Sequence, residues 1–275
     1  MRRVHWSCAI VCLALLSAGN AAQISPQAAQ AVFDRQFPQR AVSFLLLDAH
    51  SGTILAERWP DSATPVPVGS LMKPFTAMAW AATKRPFPTV ECNGARDACW
   101  LRRGHGTMTL QSAITQSCNA YFLALGRDLS LQEANTTLSE YGLPQVDPTD
   151  KTEAMAGLSS SWRVTPEALA TAYLKLERTA VRRNFQPLLQ GMRESGAIGT
   201  ARAVSAALPG NAVLGKTGTA ACSHTPRAMA DGFTVLFFPA EDPRIMLLVR
   251  EHGVTGAESA AIAGQMVRSL EAGDR

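Results

Sequence analysis

Apolar positions along this chain follow a helical period in some stretches and a strand-like pattern in others. Over residues 25–36, SPQAAQAVFDRQ, Ala28, Ala31, Val32 and Phe33 recur at helical spacing behind Ser25 as a cap and Pro26 at the first helical position, predicting a short amphipathic helix. Residues 41–59, AVSFLLLDAHSGTILAERW, hold two apolar runs around Asp48, Ser51 and Gly52, the pattern of a β-hairpin. A proline-rich connector, PDSATPVPVG, delivers the chain to a helix from Ser70 to about Lys84, and residues 86–110 read as loops. Helical periodicity returns from TLQSAITQSCNAYFLALGRDL through LQEANTTLSEYG. It continues in VTPEALATAYLKLERTA, capped by Thr165 with Pro166 first in the helix, and in QPLLQGMRESGAIGTARAVSAAL. The last part changes character: AVLGKTGTA reads as a strand, residues 231–253 as two strands around the turn PAEDP, and ESAAIAGQMVRSLEA as a closing helix.

Strands near both ends with helices between them predict an α+β fold. One antiparallel sheet is formed from both chain ends and flanked by helices, an all-helical subdomain of about 86–208 is inserted, and the seam between the two is a natural cleft. Residues 23–275 are expected to form this single domain.

The first residues follow different rules. Arg2 and Arg3 precede an apolar stretch from Trp6 to Leu16 and then the small residues Ala18, Gly19, Ala21 and Ala22. Such a stretch is shorter than the roughly 20 residues that span a bilayer, so residues 1–22 are expected to be a cleavable secretory signal. The protein is then exported, periplasmic or extracytoplasmic, and held at the inner membrane if the signal stays uncleaved.

With 275 residues, 47% of them hydrophobic, the chain can bury a large core, which excludes disordered and fibrous classes. A net charge of +4 without a basic run interleaved with aromatics gives nucleic-acid binding no support. Removal of the signal leaves Cys92, Cys99, Cys118 and Cys222. An oxidising compartment permits a disulfide between Cys92 and Cys99, which enclose a short loop. The competing reading is zinc with His105 nearby, but the segment offers three ligands and no second CxxC pair, so no metal is expected.

Candidate chemistry lies in three short stretches. In GSLMKPFTAMAW, Ser70 and Lys73 are three apart on one helical face, so the amine can reach the hydroxyl. A lysine can serve as base when burial or a nearby cation lowers its pKa, whereas arginine stays protonated. In QSCNAYF, Ser117 and Asn119 flank one residue and, on a turn between helices, can aim a hydroxyl and a carboxamide into one cleft. In GKTGTA, Lys216, Thr217, Gly218 and Thr219 combine a cation, hydroxyls for a carboxylate and a glycine that admits close backbone approach. Alone each is weak, since S-x-x-K arises about once by chance in a chain of this size. Together and in order they carry weight, because two of the chain's five lysines fall inside the set.

S-x-x-K, S-x-N and K-T-G at positions 70, 117 and 216 resemble the defining motifs of the penicillin-recognising serine acyltransferases, the penicillin-binding proteins and serine β-lactamases. PVGSLMKPFTA, ECNGARDACWLRRGHGTMTLQSAITQSCNAYF, GMRESGAIGTARAV and FTVLFFPAEDPRIMLLV are similar to elongation-type class B penicillin-binding proteins, over about residues 42–270. The resemblance implies Ser70 as the nucleophile toward D-Ala-D-Ala stem peptides of peptidoglycan, Lys73 as its base and Ser117 as a proton shuttle. It implies Asn119 on the substrate amide, Lys216 as a source of positive potential, and Thr217 and Thr219 on the terminal carboxylate beside Gly218. The backbone N–H groups of Ser70 and Thr219 would form the oxyanion hole. No cofactor is implied; β-lactams would be covalent inhibitors, and a cell-wall synthesis protein is an expected partner.

His105, Trp100 and Trp162 read as loop-structural or packing residues, and Cys118 as a small hydrophobe. Two other functions compete. A serine β-lactamase of class A needs a glutamate in a Glu-x-x-x-Asn pattern, and Glu153 is followed by AMAG instead; Trp162 does not supply the class D pocket. A non-catalytic β-lactam or muropeptide-binding module would acylate once and stop.

Overall fold

A computed structural model of the protein describes residues 25–273 apart from 40, 61 and 223–228, so the expected signal lies outside the described residues. In chain order the elements are α1 (Pro26–Gln36), β1 (Val42–Asp48), β2 (Ile54–Arg58), a 3-10 turn at Gly69–Met72, α2 (Lys73–Ala82), β3 (Val90–Cys92), β4 (Gly106–Met108), α3 (Leu110–Thr115), α4 (Asn119–Asp128), α5 (Leu131–Glu140), α6 (Lys151–Met155), α7 (Pro166–Arg182), α8 (Gln186–Ala197), α9 (Ala203–Ala207), β5 (Leu214–Ala220), β6 (Asp231–Phe238), β7 (Ile245–His252) and α10 (Gly256–Gly273).

The principal sheet is antiparallel in the order β2-β1-β7-β6-β5, so the N-terminal hairpin joins the three C-terminal strands through the β1–β7 ladder, with Leu46 opposite Leu247. Alternation along β1 explains its unbroken apolar run. Phe44 and Leu46 enter a core with Phe33 of α1 and Met266 of α10, while Leu45 and Leu47 enter the larger core on the other face with Phe75 of α2 and Tyr173 of α7. A sheet covered by helices on both faces needs apolar side chains pointing both ways.

Helix starts follow the sequence signals. Thr165 accepts from the Ala168 N–H at the head of α7 and Ser25 from the Ala28 N–H at the head of α1, each with proline next in the chain. Differences from expectation are local. Within 86–110 a short antiparallel ladder pairs β3 with β4, aligning Cys92 with Gly106. The helical stretch from residue 109 is divided into α3, α4 and α5, and the turn between helices read at Ser117 and Asn119 lies between α3 and α4, where Ser117 adopts a left-handed φ of 51°.

Candidate active site

The 3-10 turn that carries Ser70 is pressed against strand β5. Gly69 has φ 58°, and a Cβ there would lie 2.2 Å from the Thr219 carbonyl oxygen, so only glycine permits this approach. Gly218 makes the reciprocal contact: a Cβ on it would lie 2.4 Å from the Val68 carbonyl oxygen. The glycine of the K-T-G stretch is therefore explained by packing against the Ser70 segment. Helix α2 then begins at Lys73, with Pro74 in its first turn, where no intrahelical N–H is lost.

Lys73 and Lys216 are both fully buried and both reach the Ser117 hydroxyl, Lys73 Nζ at 3.3 Å and Lys216 Nζ at 3.0 Å. Lys73 also donates to the Ser117 carbonyl at 2.7 Å and to Asn119 Oδ1 at 2.6 Å. Asn119 is held from its other side, its Nδ2 donating to the Ala98 carbonyl at 3.1 Å. Lys216 also donates to the Thr217 carbonyl at 2.7 Å. The left-handed backbone of Ser117 presents both its carbonyl and its hydroxyl to Lys73, an example of local strain held by surrounding contacts. The Lys73 backbone N–H donates to the Ser70 carbonyl, and no hydrogen bond joins their side chains among the described residues; the turn places the two on one helical face three residues apart.

Burial dominates the electrostatics. Removal from water pushes the Lys73 amine down to about 7, against an opposing pull from the thiols of Cys118 and Cys99. Lys216 is driven well below the ordinary lysine range, first by burial and then by repulsion from Lys73. Two ammonium groups facing one buried hydroxyl cannot both stay charged, so the centre favours at least one neutral amine. Such an amine is a base, and Ser117 lies between the two as a group that can accept a proton on one side and pass one on the other.

The hydroxyl of Thr217 donates to Thr200 Oγ1 at 2.7 Å, and Thr219 accepts from the Gly256 N–H at the head of α10 at 2.9 Å. Thr219 is exposed at the cleft while Thr217 is buried. Thr200, Ala98 and Gly256 carry no sequence signal for these contacts, because each comes from an element remote in the chain. No carboxylate hydrogen-bonds Ser70, Lys73, Ser117 or Lys216 among the described residues. The chain packed on Ser70 is Gly157, where a Cβ would lie 2.8 Å from the Ser70 Cα, and Glu153 is exposed.

The cysteine expectations need correction. Cys92 and Cys99 are not bonded to one another, and both are buried as thiols. Both sulfurs face His105 Nδ1, at 3.5 and 3.4 Å, and Cys99 Sγ lies 3.9 Å from Cys118 Sγ. Zinc is disfavoured in the sequence for want of a fourth ligand. The break at Ser117 turns Cys118 into the β3–β4 segment and supplies it, placing four ligand atoms within 4.8 Å of one another. The separations match the edges of a tetrahedron with zinc–sulfur and zinc–nitrogen distances of about 2.3 and 2.0 Å, so Cys92, Cys99, His105 and Cys118 fit a closed structural zinc site. Cys99 is pulled down to about 4, first by its hydrogen bond with Cys118, and Cys118 is pushed up first by that same hydrogen bond and then by burial. His105 therefore sits in a cluster that fits a metal ion, and Cys118 links that cluster to the backbone between Ser117 and Asn119.

The family model described as the penicillin binding protein transpeptidase domain matches residues 42–270. The structure resembles that of PBP2 from Pseudomonas aeruginosa, with a TM-score of 0.73 and 20% identity, over 90% of this chain and 74% of that one. It also resembles the transpeptidase domain of the D,D-transpeptidase FtsI4 from Legionella pneumophila, with a TM-score of 0.65 and 21% identity, over 92% of this chain and 95% of that one. Among curated proteins, stage V sporulation protein D of Bacillus subtilis is 36% identical over 55 residues, a match covering 20% of this chain and only 8% of that relative.

Proposed function

The chain belongs to the family of penicillin-binding protein transpeptidase domains, and on that premise we propose that it is a serine D,D-acyltransferase acting on D-Ala-D-Ala stem peptides of peptidoglycan through a Ser70 acyl-enzyme. The observation that carries this reading is the convergence of two buried lysines on the Ser117 hydroxyl, beside a Ser70 whose neighbour Gly69 packs against Thr219.

In this mechanism neutral Lys73 takes the Ser70 hydroxyl proton as Ser70 Oγ attacks the carbonyl carbon of the penultimate D-alanine. Lys73 becomes an ammonium whose positions on Ser117 and Asn119 are already filled by acceptors, so its charge is met as it forms. The developing oxyanion is received by backbone N–H groups of Ser70 and Thr219, which the Gly69 contact draws together. When the peptide bond breaks, the leaving nitrogen needs a proton, and Ser117 relays one to it from the lysine pair. The terminal carboxylate is received at the exposed hydroxyl of Thr219, with Lys216 behind it. A zinc ion in the cysteine cluster would be structural, steadying the backbone on which Ser117 and Asn119 sit.

The position of Gly157 against Ser70 favours this reading over a class A β-lactamase, since among the described residues no acid packs there to activate a deacylating water. Export, and action beside a cell-wall synthesis partner, complete the proposal. The test supplies a stem pentapeptide with and without an amine acceptor and follows D-alanine release and crosslinked product in wild type and Ser70→Ala. Ser70-dependent release supports the assignment, and an equal rate in the variant refutes it.

A further inference from the structure

The connection between β3 and β4 carries a cationic and aromatic tip that the proposed acylation chemistry leaves unused. The Gly104 N–H donates to the Leu101 carbonyl at 2.9 Å, so Arg102 and Arg103 are the central residues of a tight turn, and both are exposed. Close packing fixes this turn: a Cβ on Gly94 would lie 2.1 Å from the Arg102 carbonyl oxygen, and one on Gly104 2.2 Å from the Cys92 carbonyl oxygen. Trp100 stands next to it and is 53% exposed although its ring is held in place. Its Nε1–H donates to the Gln116 carbonyl at 3.1 Å, and its ring meets that of His105 in a T-shaped contact with centroids 5.3 Å apart. We propose that Trp100, Arg102 and Arg103 form a subsite for the acyl donor that takes a carboxylate carried by the stem peptide on the N-terminal side of the penultimate D-alanine. This rests on the reading of Ser70 as the acylated nucleophile and narrows its substrate to acidic stem peptides.

Placement beside the cleft makes the tip available to the donor. Ser70 lies between two walls, β5 with Thr219 on one side and the Ser117–Asn119 turn on the other, joined by the contacts of Lys73 and Lys216 with Ser117. With the terminal carboxylate received on the β5 wall, the upstream part of the donor faces the Ser117–Asn119 wall. The outer support of that wall is the β3–β4 connection: Asn119 Nδ2 donates to the Ala98 carbonyl at 3.1 Å, and Trp100 covers Gln116, the residue before Ser117.

Charge selects the ligand. The two acids of this segment are engaged elsewhere, Asp97 accepting from the Asn93 N–H at 2.6 Å and Glu91 from the Thr107 hydroxyl at 2.9 Å. Among the described residues neither Arg102 nor Arg103 forms an ion pair. A guanidinium presents a planar fork that matches a carboxylate, and two of them on a fixed turn lose little freedom in binding one. The exposed indole face beside them offers an apolar floor for the aliphatic part of the donor chain. A stem peptide has two carboxylates in this region, the α-carboxylate of a γ-linked D-glutamate and the second carboxylate of a diaminopimelate when that residue precedes D-Ala-D-Ala.

The test measures Ser70-dependent D-alanine release from four synthetic pentapeptides, with diaminopimelate or lysine in the third position and D-glutamate or D-isoglutamine in the second. Wild type is expected to favour the donor with the recognised carboxylate by about fivefold in kcat/KM, the upper end for an exposed charge pair. The lysine and isoglutamine peptides show which of the two carboxylates is read. Arg102→Gln/Arg103→Gln should bring that ratio close to one through KM rather than kcat, and raising salt from about 0.05 to 0.5 M should shrink it in wild type. Equal rates for all four donors in wild type, or a preference unchanged in the double variant, overturns the subsite while leaving the Ser70 reading in place. A double variant that loses binding to phosphatidylglycerol vesicles with donor preference unchanged assigns the tip to a membrane surface and also overturns it. Release that persists in Ser70→Ala, or no release from any of the four, overturns the underlying reading and the subsite with it.

Discussion

Lys73 donates to Asn119 Oδ1 at 2.6 Å, and the same carboxamide is anchored behind by the Ala98 carbonyl, so the direction of the amine is set by a side chain 46 residues away. Asn119→Ala removes that anchor without touching Ser70. A hydrogen bond to a charged group is worth about 1.5–3 kcal/mol, so acylation by a fluorescent penicillin should fall by about 10- to 100-fold while the fold, followed by circular dichroism, is retained.

Acylation should depend on pH through Lys73. With its amine near 7, the neutral form that can take the Ser70 proton grows as pH rises, so the second-order acylation rate should climb between pH 6 and 8 with its midpoint near 7. The same depression has a consequence for stability. From about pH 7 up to the ordinary lysine value of 10.5, the unfolded chain binds more protons at this site than the folded one. Lys73 therefore destabilises the fold most below pH 7, and that penalty is relieved as pH rises through the window; denaturant titrations of wild type and Lys73→Met should converge toward pH 10.

Replacement of Lys73 by arginine keeps positive charge but removes any neutral form. Lys73→Arg should lower acylation by about 10²–10⁴, and raising the pH to 9 should not restore it. Recovery at high pH would mean that a different group serves as base.

Gly69 should tolerate no side chain. In Gly69→Ala a Cβ meets the Thr219 carbonyl at 2.2 Å in a left-handed backbone, so the Ser70 turn must withdraw from β5. The strain alone is about 1–3 kcal/mol, and the melting temperature and acylation should fall together. Unchanged acylation would show that the Ser70–Thr219 approach is dispensable.

Zinc should stabilise the chain through the cysteine cluster. At 100 times the dissociation constant, binding to the folded state alone contributes about 2.7 kcal/mol. Cys118→Ser, which loses one ligand next to Ser117 and Asn119, should lose most of that gain in thermal unfolding with and without zinc.

Elements whose signals are local were readable from the chain. The caps at Thr165 and Ser25, the hairpin around Asp48 and Gly52 and the pairing of both ends into one sheet follow from turn chemistry and apolar patterning. The positions of Ser70, Lys73, Ser117, Asn119 and Lys216 were readable as motifs, and the structure gathers the last four into one hydrogen-bonded group. What escaped depends on contacts distant in sequence. A turn between helices was readable at Ser117, but not its left-handed φ, nor that it would bring Cys118 within reach of Cys92, Cys99 and His105. Thr200 beneath Thr217 and Ala98 behind Asn119 are likewise set by packing between remote segments. The missing side chain of Gly218 answers to Val68, a neighbour that no inspection of the K-T-G stretch could supply.

The most direct test of the central claim is intact-protein mass spectrometry of the purified chain with benzylpenicillin, followed from minutes to hours beside Ser70→Ala. The account predicts a covalent adduct on wild type that maps to Ser70 and persists, because Gly157 rather than an acid packs against the nucleophile, and no adduct on the variant. An adduct that survives in Ser70→Ala, or rapid Ser70-dependent hydrolysis of the drug with no adduct accumulating, would contradict it.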